Sequence, residues 1–164
     1  MSNNPVIRDN LVTPVSFPDL EKVPEIFTRH IGTWQGEFIK TDTRGHFDRS
    51  FFANFTIWIQ GNQYHQVNNY EYSDGSRLQL KFQGEFEERI LKLSSGSYSD
   101  FSAIAWDAGQ DTMCYRSNKT QDNTLITFVE IITLVDENYR VRSTQVFKNG
   151  FFDGLSFIEE TRLP

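Results

Sequence analysis

Five side chains at every second position, Tyr64, Gln66, Asn68, Tyr70 and Tyr72, are the densest group in this sequence able to grip and polarise a small molecule. A strand points alternate residues to opposite faces. One face of this segment therefore carries three tyrosines with two carboxamides between them, and His65, Val67, Asn69 and Glu71 take the other. Carboxamides both donate and accept, and phenol rings pack against flat or conjugated ligands. If the face lines a cavity, Tyr64, Gln66 and Asn68 are the candidate catalytic residues and Tyr70 a substrate contact. Such groups can fold a flexible apolar substrate, polarise one carbonyl and speed a cyclisation or isomerisation by orientation and electrostatics. The plainer alternative is that Gln66 and Asn68 bond to each other or to trapped water. Two buried amides without partners are costly, which favours the ligand.

Other residues extend this candidate site. Phe55, Ile57 and Trp106 are expected as apolar walls, with core packing equally open to each, and Gln145 as a further polar contact. Tyr115 and Arg116 occupy opposite phases of one strand, so one of them faces inward; Arg116 there would suit a carboxylate-bearing ligand. His30 ends a helical stretch, His46 lies in a turn and His65 takes the outer phase, so no metal-ligand spacing unites them. No Ser-His-Asp order, glycine-rich phosphate loop or paired-carboxylate motif is visible. Glu159-Glu160 reads as a solvated rim, and Cys114, the single cysteine, as a buried structural thiol.

A chain of 164 residues suffices for one domain with a full core. Hydrophobic content is only 38% while aromatics reach 15%, so rings must fill the core, line a pocket, or both. A net charge of −6, with no run of basic residues, disfavours nucleic acid as a partner. No apolar run suggests a signal peptide or membrane span, and a cytoplasmic location is expected.

Residues 1–15 read as a flexible arm, rich in Asn and Pro. Ser16–Ile31 carries apolar residues at helical spacing, divided by Pro24 into two short helical turns. After Gly32 the period becomes two and stays so. The expected strands begin at Thr33–Thr43 and Phe47–Gln60, with Gly61-Asn62 as a hairpin turn into the Tyr64 strand. Arg77–Phe82, Phe86–Leu93, Phe101–Trp106, Thr112–Asn118, Thr124–Leu134, Tyr139–Phe147 and Phe151–Arg162 follow, with turn residues between most of them. The pattern predicts an all-β domain over 16–164: a single antiparallel up-and-down barrel of about 8–10 strands behind a short helical segment.

The short helix, the Gly32-Thr33-Trp34 opening and the meander that follows resemble the calycin superfamily of lipocalins and fatty-acid-binding proteins. His30–Gly36 and Tyr64–Tyr70, with Asp74-Gly75 and the closing segments Arg142–Phe147 and Glu159–Leu163, resemble more narrowly an uncharacterised lipocalin-like domain family. The resemblance implies a basic residue over the Trp34 indole, Arg162 or Arg140 here. It also implies a barrel that binds a hydrophobic small molecule. Ser143-Thr144-Gln145-Val146 stands where bulkier aromatics are usual, which implies a differently shaped pocket.

The expected function is binding of a hydrophobic small molecule, with chemistry as a cofactor-free cyclase or isomerase of a natural-product precursor. The alternative is a non-catalytic carrier or chaperone of a lipid, pigment or bilin-type ligand. No metal and no cofactor are expected, and the assembly is a monomer or homodimer.

Overall fold

The fold begins where proline stops one chain direction and glycine allows another. In the computed structural model, which describes residues 23–164, Pro24 is the N-cap of a short helix, α1 (Glu25–Arg29). The helix ends at His30, and Gly32 then takes a φ of 125°, open chiefly to glycine. This is the second of the two expected helical turns; the first, and the arm before it, lie outside the described residues.

Ten antiparallel strands follow in simple up-and-down order. They are β1 (Gly32–Thr41), β2 (Phe47–Gln60), β3 (Gln63–Glu71), β4 (Arg77–Glu87) and β5 (Ile90–Ser95). The second half is β6 (Ser102–Asp107), β7 (Thr112–Gln121), β8 (Thr124–Asp136), β9 (Tyr139–Lys148) and β10 (Phe151–Arg162). β10 pairs back onto β1, so the sheet closes into a barrel and leaves no free edge. The expected all-β, antiparallel up-and-down barrel behind a short helical segment is what the described residues form.

One expected strand is wrong in its bounds. Phe86–Leu93 is cut by a turn at Glu88-Arg89, whose φ values of 48° and 68° are both left-handed. Such a two-residue turn usually announces itself with Asn or Gly. Asp122-Asn123 and Asn149-Gly150 make similar turns and do carry those residues.

The inner phase of the strands holds the core. Trp34, Phe55, Ile57, Tyr64, Phe86, Leu91 and Met113 are buried. Phe27 of α1 plugs one end, with its ring 5.0 Å from that of Phe86 and 6.3 Å from that of Tyr115. Trp34 lies at the same end and donates from its indole nitrogen to the His30 carbonyl at 3.0 Å. Two guanidiniums cover its ring, Arg140 at 4.3 Å and Arg162 at 4.2 Å. The resemblance implied one or the other; both take the part. Among the described residues no helix is long and apolar enough to cross a membrane.

Candidate binding site

Strand β3 places Tyr64, Gln66, Asn68 and Tyr70 on the inner phase, and there they form a chain of hydrogen bonds. The Tyr64 hydroxyl donates to Gln66 Oε1 at 2.5 Å, Gln66 Nε2 to Asn68 Oδ1 at 2.7 Å, and Asn68 Nδ2 to the Tyr70 hydroxyl at 2.9 Å. The plainer alternative for the two amides is thus met in part: they satisfy each other. They also line a cavity, together with Tyr70. The chain runs in one direction and leaves the Tyr70 hydroxyl as a donor at its end, with no acceptor among the described residues. Bonds aligned this way polarise one another.

The cavity has a volume of about 160 Å³. Its apolar wall includes Phe38, Ile57, Phe82, Leu93, Phe101 and Ile132. Tyr115 projects into it from β7, within 3.4 Å of the Tyr64 hydroxyl. Burial pushes Tyr115 up to about 12, and pushes Tyr64 and Tyr70 upward as well. All three phenols are therefore protonated donors throughout the physiological range.

Charge enters the cavity from the neighbouring strands. Glu130 of β8 and Arg142 of β9 both line it. Arg142 Nη1 donates to Glu130 at 3.2 Å and its Nε to Glu160 at 3.0 Å, while the guanidinium lies 4.4 Å over the Phe55 ring. Glu160, fully buried, also accepts from Arg140 Nε at 2.7 Å and from Arg140 Nη2. Arg140 Nη1 lies 2.7 Å from Nδ1 of the buried His30. An arginine only donates, so Nδ1 must accept and the imidazole is neutral. Burial first, and then the charges of Arg140 and Arg142, hold His30 down to about 2.

Burial opposes the charge on Arg142, but Glu160 and Glu130 outweigh it and its pKa lies above the ordinary value. Arg140 is drawn down to about 10 by burial, against the pull of Glu160, and stays charged at neutral pH. Burial raises the Glu130 carboxyl, and Arg142 offsets part of that. A carboxyl so placed, with a raised pKa on a cavity wall, can hold or release a proton nearer neutrality than a surface glutamate.

The structure brings together Tyr64, Gln66, Asn68, Tyr70 and Ile57 at or beside this cavity. Phe55 is fully buried in the wall behind Arg142. Trp106, Arg116 and Gln145 are elsewhere and need correction. Their strands turn Ala103 and Ala105, Tyr115 and Ser117, and Thr144 and Val146 inward, so the three expected residues take the outer phase. Arg116 and Gln145 are exposed and Trp106 half-buried. Of the pair Tyr115 and Arg116, it is the tyrosine that faces in. Glu160 is likewise no solvated rim; only Glu159 is exposed. His65 takes the outer face, as its phase suggested, and stacks on Trp58 with ring centres 5.0 Å apart.

Sequence reasoning missed Arg142, Glu130 and Glu160. A signal was present: Ile126, Phe128, Glu130, Ile132 and Leu134 share one phase, so Glu130 interrupts an apolar row.

No family model matches the chain, and no curated protein matches it. Solved structures do. The S-type phycobiliprotein lyase of Guillardia theta aligns with a TM-score of 0.61 at 12% identity, over 85% of this chain and 92% of its own. The fold is calycin-like. A protein of unknown function from the DUF3598 family of Nostoc punctiforme gives a TM-score of 0.61 at 13% identity over 84% of this chain. This chain spans about half of that protein, 49% of its length. The protein EF1p2_mFAP2b, in a structure bound to DFHBI, gives a TM-score of 0.50 at 14% identity, covering 83% of this chain and 95% of that one. At such identities the likeness is one of lipocalin-like barrel architecture.

Proposed function

We propose that this barrel binds a compact, largely apolar small molecule in its cavity and isomerises or cyclises it without a cofactor. The observation that carries this reading is the placing of Glu130 and Arg142 on the wall of an aromatic cavity that also holds the aligned Tyr64–Gln66–Asn68–Tyr70 chain. A purely structural core would fill that space with aliphatic side chains. Tyr70 and Asn68 would polarise a ligand carbonyl, and Glu130 would take a proton from the adjacent carbon and return it elsewhere. Small-molecule handling is in keeping with the similar barrels, one named a phycobiliprotein lyase and one bound to DFHBI.

Size constrains the ligand. A volume of about 160 Å³ is below the roughly 300–1,000 Å³ usual for drug-sized ligands, and close to cavities that admit one aromatic ring. The buried part of the ligand is therefore a ring or a short branched chain, and an extended pigment would have to widen the barrel.

A second reading, a non-catalytic carrier, is favoured by two observations: Gln66 donates to Asn68, and Glu130 is already paired with Arg142. Native mass spectrometry of the purified protein, with identification of any released compound, tests binding first. Incubating that compound in deuterated water then separates the readings. Deuterium incorporation or a new product that is lost in Glu130→Gln supports chemistry, and recovery of unchanged, undeuterated ligand establishes the carrier.

A further inference from the structure

The cavity does not end at its aromatic wall. Lys119 and Phe128 belong both to it and to a second, wider space of about 480 Å³ at the mouth of the barrel, opposite the end plugged by Phe27. Four cationic side chains from four strands line that mouth: Lys40 of β1, Arg49 of β2, Lys119 of β7 and Lys148 of β9. Lys40 and Arg49 are direct cross-strand partners, an arrangement of like charges that costs stability unless something compensates it. The chain as a whole carries −6, so this opening is of opposite sign to the molecule that bears it.

Carboxylates neutralise only part of the cluster. Asp153 holds Lys148 at 2.8 Å, and Asp48 lies 3.7 Å from Arg49. Asp122 also lines the mouth. Lys40 and Lys119 have no carboxylate within ion-pair distance among the described residues. Both are half-buried, and burial lowers the pKa of each; the charge of Arg49 lowers Lys40 further. The Lys119 ammonium sits 4.5 Å over the Tyr98 ring and 5.8 Å from that of Phe128, on the boundary between mouth and cavity. Two partly desolvated cations beside an apolar cavity are a setting in which a ligand anion gains charge-assisted hydrogen bonds.

We propose that the mouth is an anion site: Lys119 and Lys40, supported by Arg49 and Lys148, hold the carboxylate or phosphate head of an amphipathic ligand whose apolar part enters the cavity. This rests on the cavity being a binding site and adds the class of ligand. It also assigns the entry route, since the cationic rim attracts an anion toward the opening.

Two fluorescent probes of one skeleton separate the two claims: 1-anilinonaphthalene-8-sulfonate, an anion, and N-phenyl-1-naphthylamine, its neutral counterpart. Each is titrated into the wild type, Lys119→Gln and the double variant Lys40→Gln/Arg49→Gln, with near-UV circular dichroism confirming native packing. The expected result is about tenfold weaker binding of the anionic probe in each variant, growing weaker with salt in the wild type. Binding of the neutral probe should change less than twofold in Lys40→Gln/Arg49→Gln, whose two residues line the mouth and not the cavity. Equal loss of both probes in that variant, or no change in the anionic one, overturns the mouth site while leaving the cavity. Failure of the neutral probe to bind the wild type removes the cavity reading; failure of both probes removes the two together. Displacement of the anionic probe by octanoate or by octyl phosphate then tells which head group the mouth takes, and displacement by neither overturns the assignment.

Discussion

Arg142 donates to Glu130 across 3.2 Å on the cavity wall, and the same guanidinium donates to Glu160 on its other side. The two carboxylates are not equivalent. Glu160 is fully buried between Arg140 and Arg142, so removing its charge leaves two buried guanidiniums short of a partner. Breaking a buried pair this way costs about 3–5 kcal/mol. In Glu130→Gln the amide oxygen still accepts from Arg142 and Glu160 remains, so the cost is about 1 kcal/mol. Urea unfolding of Glu160→Gln and Glu130→Gln, with equal slopes, checks this ordering. Equal losses would show that Glu130 is as structural as Glu160 and would weaken its assignment to chemistry.

Acid should unfold this protein through His30. Its imidazole is held near pKa 2 in the fold, against 6.5 ordinarily. Between those values the unfolded chain binds a proton that the folded one excludes. The stabilisation is thus complete above pH 6.5 and is lost as pH falls below it. The slope from this one group is up to about 1.4 kcal/mol per pH unit. Urea midpoints between about pH 5 and 6.5, where few carboxylates titrate, should decline in the wild type and flatten by one proton in His30→Gln. Parallel declines in the two proteins would place the titrating group elsewhere.

Strand β1 depends on a glycine for a reason of space, not of dihedral freedom. A Cβ at Gly36 would lie 2.1 Å from the carbonyl oxygen of Glu159 and 2.9 Å from Ile158 Cγ1 on the paired strand β10. The pair β1–β10 closes the barrel, and the same stretch of β10 carries Glu160. Gly36→Ala is expected to destabilise by about 3 kcal/mol, the upper end for overpacking. Gly45→Ala, where no atom lies within 4 Å of the added carbon but φ is 82°, should cost about 1 kcal/mol from backbone strain alone. Thermal or urea unfolding of both variants decides; a Gly36 variant no worse than the Gly45 one would contradict the close approach.

What the sequence discloses and hides has a physical pattern. The Tyr64–Tyr72 face was legible because period-two alternation needs only local order, and the carboxamides mark the polar face without reference to any partner. The closed barrel followed from turn spacing. The turn at Glu88-Arg89 was hidden because neither residue favours left-handed φ. Trp106, Arg116 and Gln145 were placed by residue type, whereas phase relative to Ala103, Tyr115 and Thr144 decides which way they point. The buried charges were hardest. Glu160 lies directly across from Arg140 only because β9 and β10 pair in that register. A single strand cannot reveal which charge across the ladder makes an inward-facing glutamate tolerable.

Filling the cavity inside the barrel should abolish ligand binding without unfolding the barrel. Ala103 is buried and lines the cavity, so Leu at this site extends into open volume and not into a packed wall. Filling a void restores dispersion contacts that its lining lacks, and cavity-filling changes commonly raise stability by about 0.5–2 kcal/mol. Ala103→Leu should therefore unfold at the same urea concentration as the wild type or higher, yet bind N-phenyl-1-naphthylamine at least tenfold more weakly. Unchanged probe affinity with native stability would mean that the probe sits at the mouth or on the outer surface. A variant that is both unstable and unable to bind would mean that the space collapses in solution, and that the tyrosine–amide chain is a packed core with nothing to hold.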